Sequence, residues 1–304
     1  MHVRTRRLAL IEGITAGFLF STAAIFIRVL GDLGPIHVAF WRVVIACFAL
    51  GFILVCIGKS VNLHMARENL KELLILSFFL ALHFIFFVSA VNETTILNAT
   101  VLVNTAPIFS MFISSLFFHI SPSRLAVLGL TVSFIGVIVI AYAETTIPDA
   151  LKNQSIERIS PSLRGDLKAV LAALVESFYL NYGIKIRKKM KVLPTMFPIY
   201  SLTAAIIGVI GIPTTNLVLS LPIRMEVIFP LIGLGILPTA IAHTLYFSSL
   251  SNLKSFETAT MALLEPIGAT FLGIILLKER PAPLFIFGAA MILAGVLFIV
   301  KEKK

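Results

Sequence analysis

The sequence predicts an all-α polytopic membrane protein, with ten transmembrane helices arranged as two inverted-topology repeats of five. Three observations predict it. Of 304 residues, 58% are hydrophobic and 13% are charged, against about 25% charged in soluble domains; the mean hydropathy is +1.00. The apolar residues fall into ten runs, close to the roughly 20 residues that cover the hydrocarbon core of a bilayer. The second five runs repeat the first at an offset of 159 residues.

The runs are taken in order, with bounds good to a few residues. The first, about Leu8–Leu30, follows the basic stretch Met1 to Arg7; no Ala-x-Ala cleavage site follows it, so it reads as a retained helix. Gly13 and Gly17 give it a small-residue packing face. The second, about Ile36–Ile57, follows Pro35 and carries Arg42; the third, about Leu73–Val91, carries His83. The fourth, about Ile96–Phe118, holds Asn98, Asn104 and Pro107, and the fifth, about Leu125–Tyr142, holds Gly129 and Gly136. A polar linker with Pro148 and Pro161 covers residues 143–166, so the halves are residues 1–142 and 167–304. The sixth run, about Leu167–Ile186, contains Glu176 and ends in the basic cluster Arg187-Lys188-Lys189-Met190-Lys191. The seventh is about Met196–Thr215, and the eighth, about Val227–Leu250, carries His243 and Tyr246. The ninth, about Phe256–Leu277, is interrupted by Glu265-Pro266, and the tenth, about Leu284–Val300, has Gly288 and Gly295.

The offset pairs Pro35 with Pro194, Pro107 with Pro266, Pro122 with Pro281, Gly129 with Gly288 and Gly136 with Gly295. Shared prolines say more than shared leucines in so apolar a chain, and they agree with the hydropathy period. Five is odd, so the second half enters the membrane inverted, an architecture whose binding site lies near the midplane between the repeats. Lys and Arg set the orientation. An inside N-terminus leaves fifteen of them in inside segments and six (Lys152, Arg158, Arg164, Arg224, Lys278, Arg280) outside. That places both termini in the cytoplasm of a cell (plasma) membrane protein. The net charge of +10 is spread over short loops and termini, so it is a topology signal and no nucleic acid partner is implied.

These residues resemble the EamA-type transporters of the drug/metabolite transporter superfamily. The resemblance rests on Pro35 and Arg42, on Ser89-Ala90-Val91 through Pro107-Ile108-Phe109, and on Ala262-Leu263-Leu264-Glu265-Pro266. Lys278-Glu279-Arg280-Pro281 and Gly288 through Gly295-Val296 complete it. The first half departs from the pattern: His119-Ile120-Ser121 stands where an acidic residue often follows the fourth helix, while Glu279 keeps that place in the second half. The resemblance implies transport, more often export, of small metabolites such as amino acids.

Ionisable residues inside a membrane are the functional candidates. Glu265 has two readings, a conformational anchor bonded to a neighbouring helix or a carboxylate that binds a proton or substrate. Pro266 and Pro107 weaken their helices beside it. Glu176, with Tyr179 three residues on, reads as cavity lining, as do His83 and His243 with Tyr246. Asn104 offers an uncharged hydrogen bond three residues before Pro107. Arg42 either attracts a carboxylate substrate or snorkels to the headgroups. Ser21, Thr22, Asn98, Asn181 and Tyr182 read as links between helices, and Glu12 and Arg28 as interfacial. Cys47 and Cys56 fall on opposite helix faces, and no metal or cofactor motif is present.

The reading is a secondary transporter of a small metabolite, an amino acid or related compound, working by alternating access with possible proton coupling. An uncoupled facilitator or channel is the main rival. A membrane enzyme lacks a catalytic motif, and a non-transporting membrane protein leaves the midplane carboxylates without a purpose.

Overall fold

The computed structural model describes residues 5–61, 63–145, 161–213, 224–277 and 283–301. Pro148, Lys152 and Arg158 of the linker, and the stretch Lys278-Glu279-Arg280-Pro281, lie outside the described residues. Every described regular element is helical.

The first run is two helices, α1 (Arg6–Phe20) and α2 (Ala23–Val29), with a turn at Ser21–Thr22. Pro35 opens α3 (Pro35–Cys56) at a position where its missing N–H is not needed. A short helix that the runs do not announce, α4 (Leu63–Glu68), precedes α5 (Leu70–Glu93). The fourth run is α6 (Ile96–Val103) and α7 (Ala106–Phe118), and the fifth is α8 (Arg124–Thr145). The sixth, α9 (Leu163–Lys189), begins inside the stretch expected to be linker. Ser162 caps it by accepting from the Gly165 amide, and Asp166 sits in its first turn, where the helix dipole favours an acid. The seventh is α10 (Val192–Gly211). The eighth is α11 (Met225–Leu234), a π-helical segment (Gly235–His243) and α12 (Thr244–Ser249). The ninth is α13 (Ser255–Met261), a 3-10 turn (Ala262–Leu264) and α14 (Glu265–Leu277), and the tenth is α15 (Pro283–Val300). Among the described residues, eight segments, from Arg6–Val29 to Met225–Ser249, are long and apolar enough to cross a membrane. The apolar helix Leu284–Val300 is shorter.

The helices pair across the two halves. α3 packs on α10, α8 on α15, α5 on α9, and α1 on the π segment and α12. The closest pair is α8 with α15. A Cβ added at Gly129 would lie 2.7 Å from the Gly295 carbonyl, and one at Gly136 2.7 Å from the Gly288 carbonyl. Exchanging the halves turns the first of these contacts into the second. Between them Ser133 Oγ donates to the Ile292 carbonyl at 3.2 Å, and these two residues are themselves 159 apart. The backbones approach this closely because the four contact positions carry no side chain.

Polar groups gather at both ends of the first span. Arg6 donates to both Glu257 oxygens, at 2.8 and 3.2 Å, and to the Ile299 carbonyl at 3.0 Å. At the other end Arg28 donates to the carbonyls of Val91 and Thr94. Beside it Asp166 accepts from Thr94 Oγ1 at 2.8 Å and from Asn98 Nδ2, and Lys168 pairs with Glu93. The span from Arg6 to Val29 has 24 residues, about 36 Å at 1.5 Å per residue, so the two networks close opposite ends of the bundle.

Gly136→Ala is expected to lower stability in detergent by about 1–3 kcal/mol, the usual scale of overpacking, because the atoms it meets include the Gly288 carbonyl and the Ile292 amide, which cannot turn aside. Gly34→Ala, with nothing within 4 Å, is the control. Thermal unfolding of the two variants checks this, and equal midpoints would contradict the packing.

Candidate functional site

Four helix interruptions lie around one cavity: the Ser21–Thr22 turn between α1 and α2, whose neighbours Phe20 and Ala23 line it, and three others. α6 ends at Val103 and α7 begins at Ala106, with Pro107 in its first turn. α13 gives way to the 3-10 turn at Ala262–Leu264, and α14 begins at Glu265 with Pro266 second. These two breaks occupy equivalent places under the 159-residue offset. Each has a serine from the opposite half bound to an equivalent carbonyl. Ser21 Oγ donates to the Glu265 carbonyl and Ser177 Oγ to the Ala106 carbonyl, both at 2.8 Å.

The last interruption is the π segment ending at His243. Pro238 has no N–H to give the Leu234 carbonyl one turn back. Thr239 Oγ1 supplies the bond instead, at 2.6 Å, and the Thr239 carbonyl accepts from Tyr200 Oη at 2.7 Å. Thr239 Oγ1 in turn accepts from Arg42 Nε at 3.0 Å. The proline thus produces both the irregular helix and the acceptor that holds Arg42.

The cavity has a volume of about 40 Å³ and is lined by Phe20, Ala23, Arg42, His83, Phe87, Val103, Asn104, Glu176, His243, Ala262 and Glu265. A water needs roughly 10–15 Å³ measured this way, so the space holds a few waters and no metabolite. Six of the residues read from the sequence meet here: Arg42, His83, Asn104, Glu176, His243 and Glu265. They come from α3, α5, the α6–α7 break, α9, the π segment and the α14 start, so both halves contribute.

On one wall the Glu265 carboxylate accepts from Asn104 Nδ2 at 3.3 Å. Glu265 and Pro266 also border a second cavity, of about 120 Å³, lined by α1–α2, α6 and α8 residues. The Glu176 carboxylate lies 3.7 Å from His83 Nδ1, which is also 3.1 Å from the Ala172 carbonyl. The His83 and His243 rings stand edge to face at 5.8 Å between centroids. His243 and Phe84, 159 positions apart, meet at 4.9 Å. The Arg42 guanidinium lies 4.2 Å above the Phe84 ring. Among the described residues no group of three or more His, Cys, Asp or Glu is placed to hold a metal ion.

The other candidates are placed differently. Tyr246 is fully buried beside Glu176. Tyr179 packs against Phe247, and its hydroxyl points to Met196 Sδ at 3.6 Å, away from the cavity lining. Pro107 shapes its break from behind the lining. Arg42 does not snorkel: it is 1% exposed. It is the eighth residue of α3, about 10 Å along the helix from Pro35, a depth that counting from the proline exposes. Ser21, Asn98 and Asn181 link helices as expected, Asn181 by donating to Ser110 Oγ and accepting from Ser255. Thr22, in the turn, donates to the Leu19 carbonyl at the end of α1, within its own span. Glu12 accepts from Ser248 and Arg28 caps the end of α5.

Comparison with known proteins adds the following. The EamA-like transporter family matches residues 7–142 and 163–301. The Bacillus subtilis protein YdfC, described as an uncharacterized transporter, is 28% identical over 274 residues, covering 87% of this chain and 81% of that protein. An uncharacterized transporter from Archaeoglobus fulgidus is 24% identical over 283 residues, covering 91% and 92%. A solved crystal structure superposes with a TM-score of 0.77 at 18% identity, covering 97% of this chain and 96% of the other; that likeness concerns the fold alone.

Removing the amide that holds Glu265 tests the geometry of this wall. Asn104→Ala is expected to destabilise by about 1–3 kcal/mol, the cost of a buried acceptor left alone. Combined with Glu265→Gln it should show a coupling of at least about 0.5 kcal/mol. Strictly additive unfolding free energies would mean that the contact contributes nothing.

Proposed function

Because the chain belongs to the EamA-like transporter family, and is a multi-pass membrane transporter, we propose that it moves a small polar metabolite through the cavity by alternating access. An amino acid or related compound is the cargo, carried outward across the plasma membrane, with both termini in the cytoplasm. In this reading the chain forms ten spans as two inverted five-helix repeats. The reciprocal contacts of α8 with α15, and the equivalent breaks at Pro107 and Pro266, support that arrangement.

One observation carries the proposal. Six polar or ionisable side chains from both halves converge on a single buried cavity beside four helix interruptions. Burying so many such groups inside a membrane is costly, and a transport site explains them together. The two polar networks act as gates in this mechanism. The Arg6–Glu257 pair ties α1 to α13 at one end, and Asp166 with Thr94 and Asn98 ties α9 to the α5–α6 corner at the other. Both are formed here and the cavity is small, which supports reading this conformation as the occluded one. Opening one gate while the other holds exposes the cavity to one side, and the breaks allow the helix halves to move.

Glu265 or Glu176 carries the coupling proton in this scheme. Either carboxylate can be neutral while the cavity is empty or loaded, and a proton taken on one side is released on the other.

Purified protein in liposomes, tested against amino acids, nucleosides and organic cations with and without a pH gradient, checks this. Uptake of at least one class is expected, stimulated several-fold by the gradient, and Glu265→Gln or Glu176→Gln is expected to abolish the stimulation. Transport that ignores the gradient would make the protein an uncoupled facilitator, and no transport of any class would refute the reading. Glu257→Gln is expected to slow net flux by at least about tenfold through the first gate, with substrate affinity changed less. An equal loss of affinity would argue against a gating role.

A further inference from the structure

We propose that the Arg42 guanidinium is an anion subsite of the cavity, and that the substrate is therefore a small dipolar molecule with a carboxylate at one end and a cationic group at the other. This rests on the transporter reading and specifies what that transporter carries.

Arg42 is buried at 1% exposure and lines the cavity. Its two located contacts leave most of its hydrogen-bonding capacity open: Nε donates to Thr239 Oγ1, and the guanidinium plane lies over the Phe84 ring. One terminal nitrogen, Nη1, is buried without a hydrogen-bond acceptor. Among the described residues no carboxylate forms an ion pair with it. A buried cation left without a counter-charge is costly, and an arginine kept only for packing would be paired. The supports also fix its orientation. Thr239 is itself held by the Leu234 carbonyl in the π segment, and Phe84 is fully buried. A guanidinium held in this way presents a flat fork, and a carboxylate matches it with two parallel bonds.

The rest of the cavity supplies the opposite charge elsewhere. Glu176 is placed by His83, and Glu265 by Asn104. From Arg42 the path to Glu176 runs over Phe84, His243 and His83, with rings 4.9 and 5.8 Å apart. The positive and negative groups of the cavity are thus kept apart by aromatic and imidazole rings instead of neutralising each other. A substrate of opposite polarity satisfies both ends at once. A simple amine satisfies only the carboxylates and leaves Arg42 unpaired, and a simple acid does the converse.

The test uses the full-length protein in liposomes and matched probes: L-alanine with ethylamine, L-serine with ethanolamine, and L-leucine with isopentylamine. Each amine is its amino acid without the carboxylate. Nucleosides and organic cations are included as before. At least one amino acid is expected to be transported at least tenfold better than its amine. Arg42→Gln is expected to raise KM for that amino acid at least tenfold while leaving amine uptake within about twofold, and Arg42→Lys is expected to recover part of the loss. Size-exclusion profiles and unfolding midpoints of the variants confirm that they fold. If the wild type carries amines, nucleosides or organic cations but no amino acid, or if folded Arg42→Gln keeps the discrimination, the subsite is wrong and transport stands. If the wild type carries nothing, the transporter reading falls with it.

Discussion

A helix broken inside hydrocarbon leaves backbone groups that water cannot satisfy, so the protein itself must satisfy them. The architecture of this chain follows from how it does so. At Pro266 and Pro107 the carbonyls just before the prolines, at the starts of α14 and α7, take an additional bond from Ser21 and Ser177, each reaching across from the other half. At Pro238 the carbonyl left without its amide accepts from Thr239. The two serine bonds tie a helix of the other half to the break, while Thr239 repairs its own segment and holds Arg42 of α3. These breaks lie where the halves meet, with the cavity among them.

That constraint also decides where the charges go. Glu265 opens the helix that follows its break, and its carboxylate is met by Asn104 from the equivalent break. Arg42 is held by the hydroxyl that repairs the π segment. Backbone repair and charge placement thus use the same residues. The glycine contacts of α8 and α15 act differently. They bring the α8 and α15 backbones together at Gly129–Gly295 and Gly136–Gly288, through positions that carry no side chain.

Much of this is legible in the sequence, and the reasons are physical. Apolar runs report span positions directly, since any residue facing lipid must be apolar, and each of the ten runs contains described helix. Pro107, Pro238 and Pro266 report breaks, because a missing amide acts locally, whereas α10 and α11 continue through Pro198 and Pro230. The convergence of His83, Asn104, Glu176, His243 and Glu265 follows from the cost of polar groups in a membrane. Tyr179 shows the limit. Three positions from Glu176 turn about 60° around the helix, enough to carry its ring from the cavity to the interface with Met196. Glu257 gives no local signal, because its partner, Arg6, is 251 residues away. Arg42 is readable by depth but not by partner, since Thr239 becomes its acceptor only through the π segment.

The central claim is that one cavity communicates with each side of the membrane in turn. Cys47 and Cys56 are free, so a Cys47→Ser, Cys56→Ser background carrying Ala262→Cys places one thiol in the cavity lining. Labelling with a membrane-impermeant thiol reagent from each face of oriented vesicles measures access directly. Alternating access predicts slow modification from both faces, with a transported solute changing the balance between them. Modification from a single face under every condition would contradict it.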